Sequence, residues 1–178
     1  MPRRIVVPPS LALRAACQQG LVGIDQCREH GMSDHQVAAL VRRGRWRRAM
    51  LGVLDTGIPS ARDDGPLDRD RRRGAVLGPL AFPGSVATGV ASLVLQGAQG
   101  APRRVPPEVT FPDGSPRRSS KPVRIRREQL RRWVVVDDIP CVLAGLALAQ
   151  AVPELGRRDA VALMDSVRYR RLVTETEF

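Results

Sequence analysis

The chain has 178 residues, 43% of them hydrophobic and only 3% aromatic, so one large or two small domains must build their cores from Leu, Val and Ala. The formal net charge is +11, carried almost wholly by arginine, with Lys121 the sole lysine. GC-rich coding is one source of that arginine preference. It leaves unchanged the attraction of such a surface for polyanions. No apolar run reaches about 18 residues, which excludes a membrane-spanning helix.

The opening residues, Met1 to Pro9, are basic but lead into no long apolar stretch, so no secretory signal is expected. Cys17, Cys27 and Cys141 are an odd set at spacings that fit no metal motif, and His30 and His35 pair with no Cys-x-x-Cys. Reduced thiols, a cytoplasmic location and no metal or cofactor are expected.

Three zones follow: 1–56, a breaker-rich connector at 57–66, and 67–178. In the first, Leu11 to Cys17 predict a helix ending near Gly20. A second, short helix runs from about Ile24 to His30, with Gly31 suited to its C-terminal cap. Ser33 and Gln36 have the spacing of a capping box and open a third helix, which stops at Gly44. Two short helices about a tight turn at Gly31-Met32 have the shape of a helix-turn-helix. At about 100° per residue, Val37, Leu40 and Val41 share one side. His35, Ala39, Arg42 and Arg43 fall opposite, where small Ala39 would allow close approach to a groove. His35 and Gln36 open the helix, where such helices usually touch base edges.

Arg45 to Leu54 predict two short extended segments bent near Leu51-Gly52, a β-wing anchored by Trp46 and flanked by Arg45, Arg47 and Arg48. Arginines there suit phosphate or minor-groove contacts. A charge run alone is more simply a solvated edge; its place directly after a helix-turn-helix favours DNA.

The second zone opens with a helix from about Asp68 to Ala81 that contains Pro79, so a kink or early end is expected. Ser85 can cap a helix from Val86 to about Gln96. Strands are predicted at 108–111, 123–126 and 134–136, and helices at 143–151 and 157–170. Arg117, Arg118, Lys121, Arg124 and Arg126 form a second basic cluster, with Arg124 and Arg126 on one strand face. That face could extend a DNA footprint or simply be solvated. The fold class expected is α+β: a winged helix-turn-helix followed by a small mixed α/β domain.

Several stretches together resemble the AbiEi family of type IV antitoxins. They are Gly20 to Cys27, Gly31-Met-Ser33, Leu40 to Arg48, Gly52-Val53, Pro83 to Ala87, Glu108-Val-Thr110, Ala149 to Leu155, and Ala160 to Ser166. The Gly44-Arg45-Trp46 step into the wing is the most specific. The resemblance implies a winged helix that binds operator DNA and represses its own promoter. It also implies a nucleotidyltransferase-like toxin as functional partner, counteracted without a stable complex. Many longer relatives continue into a restriction-endonuclease-like domain, which this sequence is expected to lack.

The DNA-binding candidates are therefore Ser33, His35, Gln36, Ala39, Arg42, Arg43, Arg45, Arg47, Arg48, Arg117, Arg118, Lys121, Arg124 and Arg126. The competing reading is a nuclease-related enzyme or subunit that has lost its catalytic domain. Its acids are scattered: Asp137-Asp138 is more simply a turn, and Asp165 is more simply on a polar helix face. No Gly-rich phosphate loop or Ser/His/Asp set appears, so no catalytic residue is assigned. Scarce aromatics argue against stacking on single-stranded RNA. Oligomeric state is left open.

Overall fold

The structure, a computed structural model, describes residues 5–115, 117–118 and 122–173. It has the α+β class and divides into two compact units, Met1–Asp64 and Gly65–Phe178.

The first unit runs α1 (Pro9–Cys17), β1 (Leu21–Gly23), α2 (Ile24–Glu29), α3 (Asp34–Arg42), β2 (Arg47–Met50) and β3 (Val53–Asp55). Pro9 starts α1, where its missing N–H costs nothing. β3 lies centrally in an antiparallel sheet of order β1-β3-β2, so β2 is an edge. Nothing in the sequence marks β1 as a strand. It is three residues long and fully buried, too short for alternation to show. Leu11, Ala15, Val22, Cys27, Met32, Val37, Leu40, Trp46 and Leu54 form one core.

Residues 57–64, expected to be a connector, are irregular, as their composition dictates, yet they belong to the first unit. The Ala61 N–H donates to the Ala16 carbonyl at 2.9 Å, Gln19 Nε2 donates to Asp64 Oδ2 at 3.2 Å, and Ile58 packs on the core. Gly and Pro predict the absence of periodic backbone, not the absence of contacts.

The second unit runs α4 (Pro66–Ala81), β4 (Val86–Ala87), α5 (Gly89–Leu95), β5 (Glu108–Thr110), β6 (Arg124–Arg126), β7 (Val134–Val136), β8 (Ile139–Cys141), α6 (Ala144–Ala151) and α7 (Arg157–Tyr169), with a 3₁₀ turn at Val152–Glu154. Its sheet has the order β6-β5-β4-β8-β7, with β4–β8 and β5–β6 parallel and the other pairs antiparallel. Every residue of α5 is buried, and α5 packs against α4 and α6. Phe82 meets Phe111 edge-on, the rings 6.2 Å apart at 89°.

Two expectations change here. Pro79 does not end α4 early; it sits in the last turn, where little helix remains to be disrupted. The helix expected from Val86 begins instead at Gly89, because Val86 and Ala87 pair with Thr110 and Val109 in the sheet.

Candidate nucleic-acid interface

Local chemistry fixes the α2–turn–α3 geometry. Both helices end in the same six-residue closure. At α2, the Met32 N–H reaches the Cys27 carbonyl and the Gly31 N–H reaches that of Arg28, both at 2.9 Å. At α3, the Arg45 and Gly44 N–H groups reach the Leu40 and Val41 carbonyls, both at 3.0 Å. This closure requires a left-handed residue just past the helix, which Gly31 (φ +81) and Gly44 (φ +67) adopt without a Cβ penalty. A four-residue turn, 30–33, therefore joins two stopped helices.

The start of α3 is closed reciprocally. Ser33 Oγ accepts from the Gln36 N–H at 3.2 Å, and Gln36 Oε1 accepts from the Ser33 N–H at 2.8 Å. Gln36 and Ser33 are thus a helix cap, with the Gln36 carbonyl oxygen already committed. Arg28 locks the two helices from outside. Its Nε and Nη2 meet Asp34 Oδ1 and Oδ2 at 2.9 and 3.1 Å, while Nη1 meets Asp25 at 2.8 Å. The hydrogen bond from Arg28 holds the Asp34 carboxyl below its ordinary value. Ser10 Oγ lies 2.8 Å from His30 Nδ1 and ties α1 to the same turn.

The outward face of α3 differs from the one that helical periodicity predicts. Asp34, His35, Ala38, Arg42 and Arg43 are exposed, whereas Ala39 is buried with Val37 and Leu40. Ala39 therefore cannot be the small residue that admits a groove; Ala38 occupies that place. The buried arc is wider than the Val37–Leu40–Val41 stripe, since Ala39 is 4% exposed. The Arg28–Asp34 lock, which the sequence does not announce, spans the turn, so no spacing within one helix reveals it.

The β2–β3 hairpin follows at once. Trp46 is buried, 3% exposed, and its N–H reaches the Leu40 carbonyl at 3.2 Å, which fixes the hairpin to the end of α3. Arg45, Arg47 and Arg48 are all exposed. Arg47 and Arg48 pair with Asp55 and Leu54, and a register shift follows at Arg48–Met50. An edge strand that carries two arginines and an irregularity is blunted against further pairing and displays positive charge.

In the second unit the basic cluster resolves differently. Arg124 and Arg126 do share a face, as alternation requires, but that face also holds Glu108, paired with Arg124 in register. Arg126 Nη2 lies 2.7 Å from Glu108 Oε2 and 2.9 Å from Glu154 Oε2; Arg124 Nη1 lies 2.5 Å from Glu154. Glu108 is buried, its side chain 4% exposed. The expected unmatched positive face is thus a neutralised two-by-two ion network. Arg117 lies 3.7 Å over the Phe111 ring, Arg118 is exposed, and Lys121 lies outside the described residues.

The three cysteines are free thiols. Burial pushes Cys27 up to about 11 and Cys141 up to about 12, so both stay protonated and inert. Among the described residues no three metal-ligating side chains converge, and no helix is long and apolar enough to cross a membrane.

No protein-family model matches this chain, and no curated protein matches it.

Proposed function

We propose that this chain is a sequence-specific double-stranded DNA-binding protein of the winged helix-turn-helix class, acting in the cytoplasm as an antitoxin-like repressor of its own promoter. One observation carries the reading. A capped, doubly stopped α3 exposes His35, Ala38, Arg42 and Arg43, and the hairpin fixed to its end exposes Arg45, Arg47 and Arg48. A short helix with an outward basic face suits the major groove, and a basic hairpin beside it suits phosphates or the minor groove. The AbiEi resemblance supports the same assignment and adds the expectation of a nucleotidyltransferase-like toxin, opposed without a stable complex. No catalytic role is proposed.

In this reading His35 and Arg42 read base edges, Ala38 allows the close approach, and Arg43, Arg45, Arg47 and Arg48 hold the backbone. Ser33 and Gln36 orient the helix by capping it. Arg124 and Arg126 are left out of the DNA-binding set because carboxylates already match them.

The test is selection of bound duplexes from a random pool. Enrichment of a defined duplex motif is expected. Recovery of no motif, together with preference for structured RNA or metal-dependent nicking of plasmid, would overturn the reading.

A further inference from the structure

Helices α1, α2, α3, α5 and α7 all close with the same backbone bond, from an N–H just past the helix to the carbonyl five residues earlier. That closure needs a left-handed residue. In α2, α3 and α5 it is glycine: Gly31, Gly44 and Gly97, at φ +81, +67 and +94. In α1 and α7 it is Gln19, at φ 60, and Arg171, at φ 54. At α7 the Leu172 and Arg171 N–H groups reach the Val167 and Arg168 carbonyls, both at 3.0 Å. A Cβ crowds the backbone in this conformation, so either residue is less stable there than glycine would be.

Gln19 shows what offsets the crowding. It is 4% exposed, and its Nε2 donates to Asp64 Oδ2 at 3.2 Å. Arg171 is exposed, and among the described residues its guanidinium has no partner. Arg168 and Arg170 are exposed and unpartnered in the same way, and Tyr169 between them is 89% exposed. The helix dipole accounts for a cation in the last turn, such as Arg168. It calls for no arginine at a left-handed position that glycine fits better.

We propose that the closing turn of α7 is a second contact with the DNA backbone, in which Arg168, Arg170 and Arg171 neutralise phosphates and the Tyr169 hydroxyl donates to one. The proposal rests on the duplex-binding reading and extends it to the second unit. The chemistry of the turn selects the partner. Its four side chains offer N–H and O–H donors, three positive charges and no carboxylate, so the partner is anionic. Arg168 and Arg170, two residues apart, leave the helix roughly 200° apart, so they diverge instead of converging on one small anion. Cations that fan out from one turn suit charges repeated along a backbone, and a duplex carries one for about every 1.7 Å of its axis. Tyr169 is the only tyrosine of the chain, and one ring makes no platform for the successive bases of a single strand.

The experiment measures affinity of the full chain for a selected duplex and for one of unrelated sequence, across a range of salt. The parent is compared with an Arg168→Gln, Arg170→Gln double variant and with Arg171→Gly. On both duplexes the slope of log affinity against log salt is expected to fall by about two in the double variant and by about one in Arg171→Gly. Arg171→Gly is also expected to melt no lower than the parent, because glycine adopts φ 54 without crowding. Weaker binding with undiminished stability is a result that a merely structural arginine does not give. If the parent binds duplex and either variant keeps its slope, the proposal is overturned and the duplex reading stands. A parent that binds no duplex overturns both. An Arg171→Gly chain that melts well below the parent overturns the proposal, because the side chain then serves the fold. So does a loss of affinity seen with hairpin RNA or anionic phospholipid vesicles but not with duplex DNA.

Discussion

Ser33 and Gln36 hold one another: each side-chain oxygen accepts the other's backbone N–H, at 3.2 Å for Ser33 Oγ and 2.8 Å for Gln36 Oε1. The pair closes α3 at the end where a DNA-reading helix meets bases. Replacing Ser33 with Ala should cost about 1 kcal/mol of stability in the first unit. Gln36→Ala should also lower its melting temperature and, on the proposed function, leave the selected duplex motif unchanged, because the Gln36 side-chain oxygen is engaged in the cap. A Gln36→Ala motif altered at one or two base pairs would show that Gln36 contacts a base.

Trp46 is the large anchor of the first unit, 3% exposed in a core otherwise made of small and aliphatic groups. Trp46→Ala should destabilise that unit by about 3–5 kcal/mol, much of what a small domain has. Unfolding of the first unit, followed by circular dichroism with and without the Trp46 substitution, checks the magnitude.

On the proposed function, the exposed arginines of the β2–β3 hairpin should act without regard to sequence. Arg45→Ala, Arg47→Ala and Arg48→Ala combined should weaken binding to all duplexes alike. The slope of log affinity against log salt should fall by about one for each phosphate that is no longer neutralised. An unchanged slope in the triple variant would remove these residues from the DNA backbone.

Arg124 should behave otherwise. Its guanidinium is engaged by Glu154 at 2.5 Å, so Arg124→Gln is expected to leave the salt slope of DNA binding at the parent value. A slope that falls by about one would show that Arg124 releases its carboxylate to grip phosphate.

The same network sets an acid sensitivity. Hydrogen bonds from Arg124, and next from Arg126, hold the Glu154 carboxyl below its ordinary value. A carboxyl depressed on folding contributes stability that is present above its unfolded value and is lost as pH falls through the lowered, folded one. The melting temperature of the second unit should therefore fall on the acid side of the ordinary carboxylate range. Glu154→Gln should lower it at neutral pH and flatten that acid-side slope. Because the Glu154 side chain is 39% exposed, added salt should reduce the effect. An identical pH profile in parent and variant would show that the pairing contributes nothing to folding.

The features legible along the chain are those settled within a few residues. Ser33 and Gln36 are three apart, Gly31 and Gly44 stand where helices must stop, and Trp46 follows in a bend that cannot stay in water. Backbone hydrogen bonding and capping are local, so residue type and spacing suffice to predict α2, α3 and the hairpin. Val134-Val-Val136 and Glu108-Val-Thr110 likewise declare themselves as strands by composition. The folded chain was needed for everything decided by a distant partner. Whether Arg126 faces solvent or a carboxylate depends on Glu108, 18 residues back, and Glu154, 28 residues on. Whether Ala38 or Ala39 faces outward depends on which side of α3 the rest of the unit covers, and it is Ala39 that is buried. β1 and β8 are strands because β3, β4 and β7 lie beside them, not because three residues carry a pattern. A side chain's charge is fixed by its sequence, but whether that charge is offered to a partner is fixed by the neighbours that tertiary packing brings within a few ångströms of it.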